Sequence, residues 1–257
     1  QLLTNKTRIL RKTRLFGRRA SEQFEKLLNS ATQSMPALSE ESKYDLAMRV
    51  YDLLQYSNYD LARRYVDLIR GVYRRDSAEQ RFAATREAIW GIAKVMLIKD
   101  EIYVSYLLTR YEKKHRDILK YGIDVANGDH IVYRHHTRPE FNIGKRRVRL
   151  NITTRDWMLN VVRRMKWVRS FPGWHRRETS FREWYIGLLD RLDLAHDYDG
   201  ALKILRCHQD VSGYREIRYP KMDRAKTMVE NELGNASKVE IKIRQDVMSG
   251  FRATARV

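Results

Sequence analysis

Residues Arg163-Arg164-Met165-Lys166-Trp167-Val168-Arg169 alternate cations with aromatic and aliphatic side chains, and Trp174-His175-Arg176-Arg177 follows after Pro172-Gly173. Cations and indoles at that spacing can neutralise phosphates and stack on bases. They can equally anchor an acidic protein subunit, since Arg and Trp are favoured at interfaces. A third reading packs Trp167 and Trp174 inward and pairs the arginines with Glu178 and Glu183. The expectation is that the exposed members of Arg163, Arg164, Lys166, Arg169, Arg176 and Arg177 meet carboxylates or phosphates of a partner, with Met165 and Trp167 packed.

Other residue types capable of chemistry form no complete site. His130, His135 and His136 cluster, but their nearest acids are Asp129 and Glu140, and Arg134 and Arg138 repel a cation. A metal needs several convergent neutral or anionic donors, so surface or turn histidines are expected. Cys207 and His208 are adjacent, and on a helix their side chains diverge by about 100°; a buried structural cysteine is expected. Asp190, Asp193, Asp197 and Asp199 read as caps and solvated faces, because acid–base work would need one of them desolvated. The sequence contains no GxGxxG, GxxxxGK[ST] or GxSxG, the spacings that cradle phosphates or present a nucleophile.

The 257 residues suffice for a sizeable core, with 43% hydrophobic residues and only four prolines. That excludes a disordered basic tail or a linker-dominated chain. One cysteine excludes an internal disulfide framework and a self-contained iron–sulfur cluster. Lys plus Arg number 51 against 32 acids, a formal charge of +19. No run of about 18 apolar residues occurs, so no spanning helix is expected. Lys6, Arg8, Arg11, Lys12, Arg14, Arg18 and Arg19 precede the first acid, Glu22. That opening reads as a transit peptide, a nucleic-acid arm or a solvated linker; a cytoplasmic location is expected, with an organellar matrix if the arm is a targeting remnant.

Helical periods fill most of the chain. Ser39-Glu40-Glu41 caps a run through Leu46, Val50, Leu53 and Leu54; Ser57-Asn58 interrupts; Leu61, Tyr65, Leu68, Ile69 and Val72 resume it. A third helix spans about 78–98 and is apolar almost all round, so it belongs at the centre. A fourth starts at Asp100 and ends in the cations Lys113 to Lys120. Residues 128–152 carry a turn signal and β-type residues, predicting a small hairpin or an irregular insertion. Beyond it, one helix runs from Asp156 to Val168 and is stopped by Pro172-Gly173. Another is capped by Thr179 or Ser180 and carries Phe181, Trp184, Tyr185, Leu188 and Leu192. A short one follows Asp199-Gly200, and one more runs from Lys221 to about Leu233. Val239 to Ile243 alternates like a strand. The fold class is therefore mainly α, a multi-helix bundle of about seven to nine helices with a small β-hairpin or irregular insertion. The domain reading is a basic arm or linker over 1–37, a helical domain over 38–234 and a tail over 235–257.

Two stretches carry a resemblance. Tyr44 to Val72 reads YDLAMRVYDLLQYSNYDLARRYVDLIRGV, and the second stretch contains WMLNVVRRMKWVRSFPGWHRRETSFREWYIGLLDRL and VSGYREIRYPKMDRAK. Together, from about Leu38 to Leu233, they resemble the helical C-terminal region of the indolepyruvate oxidoreductase (2-oxoacid:acceptor oxidoreductase) β-subunit family. The resemblance implies membership of a complex that decarboxylates aryl-pyruvates with thiamine diphosphate and passes electrons through iron–sulfur clusters. Those groups belong to other domains whose motifs match no position here, so no catalytic, cofactor-binding or metal residue carries over. In that family an α/β domain precedes this region; Gln1 at the start fits an internal cut or a separately encoded subunit. The resulting expectation is a non-catalytic scaffold whose partners are the catalytic subunits, with no cofactor in this chain. The alternative is a basic helical RNA-binding or ribonucleoprotein subunit.

Overall fold

Arg8, Arg11 and Lys12 stand on the outer face of α1 (Leu2–Thr13), and Arg18 and Arg19 on that of α2 (Gly17–Ser34), while Lys6 turns inward to pair with Glu112. Ala20, Phe24, Leu27, Leu28 and Ala31 recur every three or four residues, and all are buried, as are Leu10 and Met35. This corrects the arm or linker expected over 1–37. Arg8, Arg11, Lys12, Arg18 and Arg19 are solvated, but the apolar period beneath them packs into the main core, and a boundary at residue 38 divides that core. The computed structural model describes residues 2–13, 17–137, 140–143, 146–149, 152–214 and 217–234, and among them the protein is mainly α-helical with a small antiparallel β-hairpin.

α3 (Glu40–Tyr56) and α4 (Tyr59–Tyr73) begin at true caps: Ser39 Oγ accepts from the Ser42 amide, and Asn58 Oδ1 from the Leu61 amide. Each satisfies an orphan donor of the first turn. α5 (Ala83–Met96) is the central helix, buried on nearly every side and packed against both. It starts five residues later than the apolar run suggests. Asp76 caps it from a distance, accepting from the Thr85 amide and hydroxyl at 2.8 and 2.7 Å, while Tyr198 donates to its other oxygen.

The helix expected from Asp100 to Lys120 is two: α6 (Glu101–Thr109) and α7 (Tyr111–Tyr121), separated at Arg110, whose backbone is extended. The turn expected at Asn127-Gly128 is present, with Gly128 at φ +89°. Four short strands follow: β1 (Arg134–Thr137), β2 (Glu140–Ile143), β3 (Arg146–Arg149) and β4 (Ile152–Arg155). β1 pairs with β4 and β2 with β3, antiparallel and in one continuous register from Arg134↔Arg155 to Ile143↔Arg146. The insertion is thus a hairpin.

α8 (Asp156–Val162) packs on α6 and stops well before Val168, where the expected helix gives way to a 3₁₀ turn at Lys166–Ser170. α9 (Arg176–Leu188) begins three residues before Thr179, from His175 at φ +44°. α10 (Tyr198–Arg206) and α11 (218–234) complete the bundle. α5 contacts α9 and α10 as well as α3 and α4, so it holds the two halves together. The strand expected at Val239–Ile243 lies outside the described residues.

Candidate anion cleft and docking face

The basic run splits into two populations. Arg169 lies against Asp100, a carboxylate that is 1% exposed, with Nε–Oδ2 at 2.5 Å and Nη2–Oδ1 at 2.8 Å. Its Nη1 donates to the Tyr56 carbonyl, and its guanidinium covers the Tyr56 ring at 3.8 Å. Asp100 also caps α6 by accepting from the Tyr103 amide. Lys166 donates to the carbonyls of Gln55 and Ser57, at the end of α3. A cation there complements the negative pole of the helix. Arg163 donates to Thr109, at the end of α6. These three cations join α3, α6 and the 163–170 turn, which corrects their assignment to a partner surface.

Arg164, Arg176 and Arg177 are exposed. Arg177 reaches Asp223 on α11 and the Tyr219 ring; among the described residues Arg164 and Arg176 have no ion-pair partner. Trp167, expected inside, is 61% exposed and meets Phe171, itself 55% exposed, edge-on. Trp157 and Val161, one turn apart on α8, are 65% and 53% exposed. Residues 157–171 therefore present four large apolar side chains to solvent, with the exposed Arg155 and Arg164 nearby in the chain. Helical periodicity would have buried Trp167; the early end of α8 turns it outward.

His175 sits between two carboxylates, with Nε2 at 3.1 Å from Glu101 and Nδ1 at 3.5 Å from Glu178. Burial alone lowers an imidazole pKa, but the bonds to Glu101 and Glu178 together raise this one to about 9. It is a cationic cross-link between α6 and α9. The sequence offers Glu178 as a partner for the arginines, and the structure gives it to His175 instead; Asp100 and Glu101 lie far from the run and read locally as a helix start.

Beside the turn, a cleft of about 590 Å³ opens between α1, α3, α6 and α7. Its walls carry Lys12, Arg110, Arg163, Arg164 and Lys166, with Tyr51, Tyr106 and Tyr111. The acid among its lining residues is Glu112, whose Oε1 accepts from Tyr51 at 2.7 Å and Lys6 at 3.1 Å, while Oε2 is buried without a partner. Burial raises a carboxyl pKa; here the Tyr51 and Lys6 bonds outweigh it and hold Glu112 below its ordinary value. Burial, then its neighbour Arg164, lowers the Arg163 pKa. Arg110 stands at the break between α6 and α7, its Nε buried and unbonded.

The remaining sequence candidates stay apart from these features. His135 bonds Asp156 at 3.0 Å and lies parallel to the Tyr133 ring, His130 is exposed, and the side chain of His136 lies outside the described residues. Asp193 accepts from the amides of Ala195 and His196, and Asp197 caps α10. Cys207 is buried and its thiol is pushed up to about 12 by that burial. His208 packs edge-on against Tyr185 with both ring nitrogens unbonded, and burial, followed by Lys94, depresses it to about 4. Among the described residues no group of three or more His, Cys, Asp or Glu is placed to hold a metal ion, and no helix is long and apolar enough to cross a membrane.

The sequence pattern of a family of unknown function (DUF6537) matches residues 45–231. The chain belongs to that family. The DUF6537 match begins inside α3 and ends inside α11, so it takes in the 163–177 run, its buried partner Asp100 and the exposed aromatic segment. Most of the cleft is DUF6537 sequence too; Ile9 and Lys12 come from α1, outside the matched span. No curated protein and no solved structure matches the chain.

Proposed function

We propose that this chain is a non-catalytic docking component of a cytoplasmic thiamine diphosphate- and iron–sulfur-dependent 2-oxoacid oxidoreductase of the indolepyruvate type. The observation that carries docking is the 157–171 segment, in which Trp157, Val161, Trp167 and Phe171 are each more than half exposed. Trp167 and Phe171 meet edge-on in solvent, exposed apolar side chains of this kind mark interaction surfaces, and tryptophan is among the residues that dominate binding energy. Arg155, Arg164, Arg176 and Arg177 are exposed cations close in sequence to that segment, which favours an acidic subunit surface and steers its approach. The identity of the complex rests on the sequence resemblance of the two helical stretches. In this reading both cofactors and every chemical step belong to the partner subunits, and this chain binds and orients them.

The test is isolation from the native source of tagged wild-type protein and of the variant Trp167→Ser/Arg164→Glu/Arg176→Glu. Wild type should bring down large subunits with the brown absorbance of iron–sulfur clusters, and the variant should lose them at unchanged helical circular dichroism. Wild-type capture by the variant at low salt, where exposed charges are least screened, would refute the docking face. Recovery of nucleic acid alone, with binding that falls steeply with salt, would refute the reading and favour an RNA-binding subunit.

A further inference from the structure

We infer that the cleft between α1, α3, α6 and α7 is a small-molecule site for a phosphoryl group carried on an aromatic body, a nucleoside diphosphate being the simplest case. The cleft shares Arg164 with the proposed docking face, so its test uses Arg110 and Lys12, which lie outside that face.

Its volume, about 590 Å³, lies within the range of small-molecule sites. Among the described residues five cations line it against one acid, and that acid is already held by Lys6 and Tyr51. Like charges gathered in a recess of reduced dielectric repel one another and concentrate an anion of opposite sign. A carboxylate would offset one charge; a phosphate ester carries about −1.5 to −2 at neutral pH, and a diphosphate approaches the excess of four. Three of the five cations are arginines, whose planar forks match phosphoryl oxygens.

Tyr106 and Tyr111 add aromatic surface, and Tyr111 is 52% exposed before any ligand binds. Lys166 cross-braces the site by its bonds to the end of α3, so its position does not depend on the ligand.

The experiment is calorimetric titration of the full chain with inorganic pyrophosphate, ADP and citrate at low salt. Saturable binding of pyrophosphate and ADP with Kd below about 1 mM, ADP the tighter, is expected. Arg110→Gln and, independently, Lys12→Gln should each weaken both by about tenfold, the scale of a charge-assisted bond. Arg63→Gln, an exposed cation on α4 remote from the cleft, should change neither. Because Lys12 is exposed, its variant keeps the test valid if Arg110→Gln fails to fold. Absence of saturable binding, equal weakening by Arg63→Gln, or citrate binding as tightly as pyrophosphate would each overturn the assignment. Pyrophosphate binding as tight as ADP would overturn the aromatic body.

Discussion

His175 and His208 show how burial acts on one residue type in opposite directions. His208 has no partner for its ring, so burial favours the neutral form and holds its pKa near 4. His175 is enclosed by Glu101 and Glu178, and these carboxylates reverse the effect of burial, to about 9. A raised histidine contributes stability that is complete below the unfolded pKa near 6.5 and is lost as pH rises through 9. Urea unfolding of the wild type should therefore weaken by about 2 kcal/mol between pH 6.5 and 9.5. His175→Gln should flatten that limb; a wild-type curve level across the window would refute the cationic cross-link. The Arg169–Asp100 pair works at the same scale. An isolated buried ion pair is weak evidence for stability, but this carboxylate also caps α6 and this guanidinium also holds Tyr56, so the pair fixes where two helix ends meet.

At the scale of elements, α5 depends on close approach. An added Cβ at Gly91 would lie 2.1 Å from the Tyr185 hydroxyl and 2.7 Å from the His208 ring. Neither can swing away: Tyr185 is 1% exposed and donates to the Leu205 carbonyl, and His208 is 4% exposed. In an open helix interior Gly→Ala would stabilise by about 1 kcal/mol. Here Gly91→Ala should instead lower the stability by about 1–3 kcal/mol, the usual scale of overpacking, visible as a lower urea midpoint with an unchanged slope. A gain in stability would mean that α5 and α9 can separate freely. Gly91 therefore sets how near α9 and the segment after α10 come to the central helix.

At the scale of the molecule, the main hydrophobic cluster draws on residues from Leu10 to Val229, and Tyr56, Ile98 and Tyr103 form a second, smaller one. Removing residues 1–37 deletes Leu10, Phe24, Leu27, Leu28, Ala31 and Met35 from it. Each large buried side chain is worth about 1.5–3 kcal/mol, so the loss rivals the total stability of about 5–15 kcal/mol for ordinary domains. The fragment 38–257 should retain helical far-ultraviolet signal, lose near-ultraviolet tertiary signal and melt without cooperativity. A cooperative melt at the wild-type temperature would show that α1 and α2 are dispensable. Lys12, on α1, also reaches the cleft, so the same deletion should abolish ligand binding there.

Mainly helical structure, an insertion near 128–152, the cap at Ser39, the break at Ser57-Asn58 and the buried centre at α5 were legible in the chain, because each depends on neighbours a few residues apart. The period Ala20, Phe24, Leu27, Leu28, Ala31 was legible too, but the flanking arginines drew the reading toward a solvated arm. Helix ends at 110, 162 and 175 were not legible. Local propensity there competes with bonds reaching across the fold, such as Arg169 to Asp100 and His175 to Glu101, and a partner at that separation leaves no local pattern. The same holds for the candidate site. The basic run between 163 and 177 announced itself by composition, yet which of its cations stay outside depends on where the ends of α3 and α6 come to rest. The cleft joins Lys12, Arg110 and Arg163 from three distant parts of the chain, and packing alone brings them to one wall.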